Sequence, residues 1–334
     1  MKLCILDPAL HIPGLKLLFP EGEYYGHEPD NFFRYVSTKH YTRTQILNEN
    51  GFTYRIDWET INDKNYDYLF ISAPLADYYS TISDELQNYT KNMKERIKII
   101  INNNNFKKVV LFDTYDYDYD PSIINTEWKV DYYFKRNYNN KNKYNNNVFP
   151  FPYMMFVKPC ILSMIINKKN KNKGYKYNRA LWCGNLYNHI DNKNNIKRMR
   201  LDMYNGIRDK IDSGRFTESE FINKIREYKV IVDLIGVGDP NKRTIEILTN
   251  GSLMLSMCDD LNWGFDDNEN FHPDTYFKTP EEFTKKLEKL LNEEEHYKKC
   301  LEHQEYIVNK YFNKKWLREY IENKINFLMY YKFP

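Results

Sequence analysis

Along the first half of the chain, short apolar or β-branched runs bounded by polar or turn residues alternate with longer segments of mixed polarity. Lys2–Asp7, Phe52–Asp57, Tyr66–Ala73, Lys107–Thr114 and Val130–Lys135 read as strands. Thr42–Asn50 and Ser80–Ile100 read as helices between them. Parallel strands need crossover connections, so the alternation predicts βαβ units around a mostly parallel sheet. Val148–Met164 reads as a last strand plus a crossing segment, set between the polar runs Asn137–Asn147 and Asn167–Lys173. The pattern then restarts. Arg179–Gly184 reads as a strand ending in a glycine turn, and Asn194–Ile211 as a helix. Thr217-Glu-Ser-Glu220 has capping-box spacing before a further helix. Next come strand Lys229–Ile235, helix Lys242–Thr249 stopped at Asn250-Gly251, strand Ser252–Cys258 and a short strand at Tyr276. Helices follow over Pro280–Asn292, Glu293–Tyr311 and Lys314–Phe327. The prediction is an α/β protein with two Rossmann-like, doubly wound sheets in tandem. Its N-terminal domain spans 1–165 and its C-terminal domain 175–313, with a closing helix over 314–334 that packs back toward the first domain. The stretch between Ile211 and Lys229 is short, so a middle strand and helix of the second sheet look contracted.

Composition narrows the classes. The 334 residues are 42% hydrophobic, enough for two cores. Forty-nine basic against 46 acidic residues leave +3, which excludes a histone-like polyanion binder but not a local basic groove. No run of 18 apolar residues is present, so no membrane span is expected. Five cysteines, an odd number without a Cys-x-x-Cys pair, argue against a disulfide framework or zinc ribbon and for a reducing, cytoplasmic setting. Thirty tyrosines and repeated Asn runs mark a skewed composition to which no function attaches.

The most informative segment is Asp233–Ser256. A strand ends at Gly236, a small-residue loop follows, and a helix begins near Asn241. The amides at that helix start, with Lys242 and Arg243, suit an anion. Glu246, three residues past Arg243, shares its helix face, so a carboxylate for a ribose diol stands beside a guanidinium for a diphosphate. The same spacing also suits an ordinary surface ion pair.

With Gly236, Gly238, Asn241, Arg243, Glu246, Gly251 and the strand Leu253–Ser256, this stretch resembles the donor-binding signature of GT-B glycosyltransferases, in particular the group-1, spore-maturation-protein-like branch. Tyr276–Phe283 resembles a further family segment, and Leu181-Trp-Cys-Gly184-Asn185 its strand-turn, with Arg198 or Arg200 on the next helix as a second phosphate contact. The layout is more distantly similar to phage DNA β-glucosyltransferase, which matches the strand Val109–Asp113 to one ending in an aspartate base. The resemblance implies a cleft between the domains and a nucleotide sugar, UDP-linked, in the second. It further implies a hydroxyl acceptor (glycan, protein or small molecule) in the first, and neither a metal nor another cofactor. A modified DNA base as acceptor, a nucleotide-sugar epimerase and a non-catalytic nucleotide- or glycan-binding module are the competing readings. The Glu-x7-Glu pair of retaining enzymes is missing, which leaves the anomeric outcome open.

Candidate bases are Asp113 and, in the loop after the first strand, His11. Asp113 equally reads as a turn cap. Asp116-Tyr-Asp-Tyr-Asp120 contains two Asp-x-Asp pairs that could hold a divalent metal, but the GT-B signature argues against that use. Lys135–Tyr144 interleaves cations and tyrosines, a pattern that suits single-stranded nucleic acid and, better, a solvated loop. The tyrosines near the first domain, such as Tyr24 and Tyr25, offer faces for sugar stacking. His296 and His303 read as solvent-facing, and Cys183 as a core residue.

Overall fold

The computed structural model describes residues 2–7, 14–26, 55, 57–73, 84–113, 128–136, 138–140, 142–151, 174–184, 195–235, 242–257, 262–266 and 269–325. The chain divides into two compact units. One comprises Met1–Tyr138, Asn142–Leu162 and Leu317–Pro334; the other comprises Asn139–Lys141 and Ser163–Trp316.

The first unit is built on a parallel sheet of β1 (Leu3–Leu6), β2 (Glu23–Tyr25), β3 (Tyr68–Ala73), β4 (Lys108–Asp113), β5 (Tyr132–Lys135) and β6 (Val148–Pro150). Their order is β2-β1-β3-β4-β5-β6. A parallel bridge from Tyr25 to Arg55 extends the β2 edge, so of the expected strand Phe52–Asp57 a single bridging residue is described. The helices α1 (Gly14–Leu18) and α2 (Asp84–Asn103) belong to this unit. One face of the sheet buries Leu69, Ile71, Val109, Leu111 and Tyr133 with Met93 and Ile97 of α2. The other carries Phe70, Phe112 and Phe134, whose rings meet at 5.0–5.4 Å. Tyr320 closes this aromatic face against Phe134 and donates to the Pro150 carbonyl at 2.8 Å.

The second unit holds β7 (Tyr177–Cys183), α3 (Asn195–Ile207), β8 (Asp212–Gly214), α4 (Glu218–Ile225), β9 (Tyr228–Asp233), α5 (Lys242–Asn250) and β10 (Leu253–Ser256). After them come α6 (Pro280–Asn292), α7 (Glu294–Tyr311) and α8 (Lys314–Lys324), the last running on into the first unit. The sheet is parallel, ordered β10-β9-β7-β8 and extended by a bridge from Ser256 to Tyr276. The stretch after Ile211 that looked contracted therefore contains both elements, a three-residue strand and an eight-residue helix. The capping box forms as the spacing requires: Thr217 accepts from the Glu220 amide, and the Glu220 carboxylate accepts from the Thr217 amide at 2.8 Å. Helix α5 ends because Gly251 takes φ +87°, a left-handed conformation that side chains resist.

The α/β class and the tandem parallel sheets agree with the sequence pattern. No described helix is long and apolar enough to cross a membrane.

Candidate donor and acceptor residues

In an open parallel sheet, ligands bind beyond the carboxyl ends of strands where the winding reverses. In the second sheet that point lies between β7 and β9, because the chain leaves β7 for β8 on one side and then returns to β9 on the other. The residues collected there come from four elements.

Gly184 follows β7 directly. A Cβ at this position would stand 2.5 Å from a ring carbon of Trp182 and 3.0 Å from Nη1 of Arg243. The glycine therefore leaves room for the Arg243 guanidinium to lie against the end of β7. That guanidinium is half-buried and lies 5.8 Å from the Phe221 ring centroid. It is also close enough to Cys183 to ease the thiol's ionisation, although burial dominates and pushes that thiol up to about 12. Cys183 is thus a core residue with an inert thiol.

Glu246 lies one turn past Arg243 on α5 and is buried at 5% exposure. Its carbonyl accepts from Asn250 at 2.7 Å. Asp233, the last residue of β9, is fully buried and accepts from the Thr244 hydroxyl at 2.7 Å. Two residues on, the Ile235 carbonyl accepts from Nε of Arg200 at 2.5 Å.

The two arginines of α3 thus part company. Arg198 is exposed and faces Asp202 at 3.9 Å, whereas Arg200 is buried and reaches the end of β9. Helical phase explains the split and was available in the sequence: Arg200, Met203 and Ile207 fall on one buried stripe. Lys242 opens α5. Asn185, Gly236, Gly238 and Asn241 lie outside the described residues, as do His11 and the Asp116–Asp120 loop.

In the first unit, Asp113 ends β4 with its carboxylate fully buried, 3.9 Å from the equally buried Lys135 ammonium at the end of β5. Arg136, next to it, is 6% exposed. The cations that open the Lys135–Tyr144 stretch are therefore interior rather than a solvated loop. Tyr24 and Tyr25 are interior as well: Tyr24 donates to Asp7 at 2.5 Å and Tyr25 meets the Tyr66 hydroxyl at 2.7 Å, so neither presents a face to a sugar.

His296 departs from its solvent-facing expectation, at 13% exposure. The His296 ring nitrogen Nε2 lies 3.0 Å from Asp274 and 3.6 Å from the Cys300 sulfur. His303 contacts the Asn270 carbonyl at 2.8 Å. Here too the seven-residue spacing keeps both on one side of α7, the side carrying Cys300 and Ile307. Among the described residues, no group of three or more His, Cys, Asp or Glu side chains is arranged to hold a metal ion.

No known family pattern matches the chain, and no curated protein matches it by sequence. Solved structures do match. Phage T4 β-glucosyltransferase in complex with UDP and Mn2+ superposes with a TM-score of 0.53 at 10% identity, over 98% of this chain and 100% of that one. An α-glucosyltransferase in complex with UDP and a 13-mer DNA containing a hydroxymethyluracil base gives 0.53 at 11% identity, over 98% and 99%. At such identities the likeness speaks for architecture alone, and the architecture is the GT-B glycosyltransferase fold.

Proposed function

We propose that the protein is a glycosyltransferase that moves a sugar from a nucleoside diphosphate, UDP in the first instance, to a hydroxyl acceptor. The observation that carries this reading is the Arg243 guanidinium lying against Gly184, where the winding of the second sheet reverses. A guanidinium matches the paired oxygens of a diphosphate and offsets the charge that grows on the leaving group. Lys242 and the α5 amides add to that field. Of the two arginines of α3 considered as a second phosphate contact, Arg200 is the one directed at the end of β9. Glu246, one turn from Arg243, serves the ribose hydroxyls as a bidentate acceptor. The spacing of Gly236, Asn241, Arg243, Glu246 and Gly251 supports a group-1 type of donor site. With these cations assigned to the diphosphate, transfer proceeds without a metal.

Asp113 and His11 are the candidate bases for the acceptor hydroxyl. Asp113 ends β4 with its carboxylate 3.9 Å from the Lys135 ammonium.

The comparison structures that act on DNA support a second reading of the acceptor, a modified base in a duplex. Release of UDP from a panel of UDP-sugars tests both. The first reading expects release to rise on adding a glycan or small hydroxyl acceptor. The second expects it to rise on adding hydroxymethylated duplex DNA, accompanied by salt-dependent retardation of that duplex in gels. A protein that binds none of the donors and releases no UDP refutes both. Adding and chelating Mn2+ in the same assay tests metal independence, which fails if chelation abolishes release.

A further inference from the structure

We infer that Asp233 and Thr244 form a positioning pair that holds Arg243 in register for the donor diphosphate. The inference rests on the donor-site reading above and extends it to two residues that do not themselves meet the ligand. Asp233 is the last residue of β9 and Thr244 the third of α5, and both are buried, at 0% and 2% exposure. Their side chains meet through a 2.7 Å hydrogen bond donated by the Thr244 hydroxyl. The bond therefore fastens the first turn of α5 to the carboxyl end of the strand beside the site.

Arg243 is the immediate chain neighbour of Thr244, so the same bond fixes where its side chain departs. Its guanidinium must end in a narrow place, with Nη1 3.0 Å from the point a Gly184 Cβ would occupy. A long, rotatable side chain meets that demand only if its backbone is held, because charge stabilisation falls steeply with misplacement of about 1 Å. A second brace acts just past the end of β9, where Arg200 donates to the Ile235 carbonyl at 2.5 Å. The Asp233 carboxylate also faces the positive end of the helix dipole, which strengthens the attachment.

The test is UDP titration of Thr244→Val and Thr244→Ser, each alone and combined with Arg243→Ala, at a temperature where melting curves show every variant folded. The pair predicts that Val raises the UDP dissociation constant about tenfold, in keeping with loss of a hydrogen bond to a charged group. Serine, which keeps the hydroxyl, stays within about twofold of wild type. In the Arg243→Ala background the Val change shifts affinity by less than about twofold, because the residue it positions is gone. An unchanged affinity in Thr244→Val overturns the pairing, and so does an equal loss in both backgrounds, which marks a merely structural hydroxyl. Should the Val variant fail to fold, Asp233→Asn replaces it, since the amide oxygen still accepts from Thr244 but without the charge. Its expected rise is about threefold, absent when Arg243 is Ala, and no rise overturns the inference. Failure of the donor reading looks different: wild-type protein then binds no UDP at all, and the pairing falls with it.

Discussion

Both sheets end their central strands in charged residues, but they arrange the charge in different ways. In the first sheet, β4 ends at Asp113 and β5 at Lys135, both fully buried and set against each other. In the second, β9 ends at Asp233, whose carboxylate accepts from the Thr244 hydroxyl, and the guanidinium of Arg243 lies half-buried beside a glycine. One edge neutralises its charges internally. The other uses its carboxylate to hold a helix start and presents its cation next to backbone. A buried pair of the first kind costs desolvation and returns stability only while both partners remain. An arrangement of the second kind is suited to a ligand anion, because the cation is already oriented.

The contrast breaks most sharply under removal of one cation from each edge. Lys135→Met leaves the Asp113 carboxylate buried beside an apolar chain and should lower unfolding free energy by about 3 kcal/mol in denaturant titrations. UDP affinity, measured under folded conditions, should stay unchanged. Arg243→Ala should do the reverse, costing about 2–3 kcal/mol of UDP affinity with little effect on the melting temperature. Gly184→Ala sharpens the same edge. Its Cβ would meet Trp182 at 2.5 Å and the guanidinium at 3.0 Å, so affinity and stability should each fall by about 1–2 kcal/mol.

The smallest effect belongs to a third region, the histidine cluster where His272 meets α7. His272 caps the turn at Pro273–Thr275 by accepting from the Asp274 amide at 3.2 Å, which requires an unprotonated Nδ1. Burial lowers its pKa, with the neighbouring His296, His303 and Lys299 adding to the shift and Asp274 opposing it. The unfolded chain then binds more protons, so stability is complete above the ordinary histidine range and declines as pH falls through it. Burial raises Asp274, but Lys289, His296 and His272 outweigh it and hold the carboxyl below the usual range, so it adds a further loss at lower pH. Melting temperature should therefore decrease from pH 8 to pH 5, and His272→Asn should flatten the upper part of that decrease. A pH-independent melting temperature contradicts the assignment.

Much of this architecture is legible in the sequence. Runs such as Val109-Val-Leu-Phe112 and Val230-Ile-Val232 are continuous enough to be strands, and Asn250-Gly251 ends a helix by conformational necessity. Short edge elements escaped. β8 is only Asp-Ser-Gly and β2 only Glu-Tyr-Tyr, too brief and too polar to carry a period. Around the candidate site, residue types were readable where the chemistry is local, as with Arg243 and Glu246 one turn apart. Long-range partnership was not readable. Nothing near Asp113 in the chain announces Lys135, because parallel register sets them side by side, and nothing near Asp233 announces its bond to Thr244, which depends on the start of α5 packing back against the end of β9. The choice between Arg198 and Arg200 lay between these cases, decidable from the buried stripe of α3 once that stripe is traced.

Calorimetric titration of UDP into the wild-type chain and into Arg243→Ala tests the central claim most directly. The account predicts saturable one-to-one binding by wild type, weakened by about thirtyfold or more in the variant. Absence of binding by the wild-type chain, or equal binding by both, contradicts it.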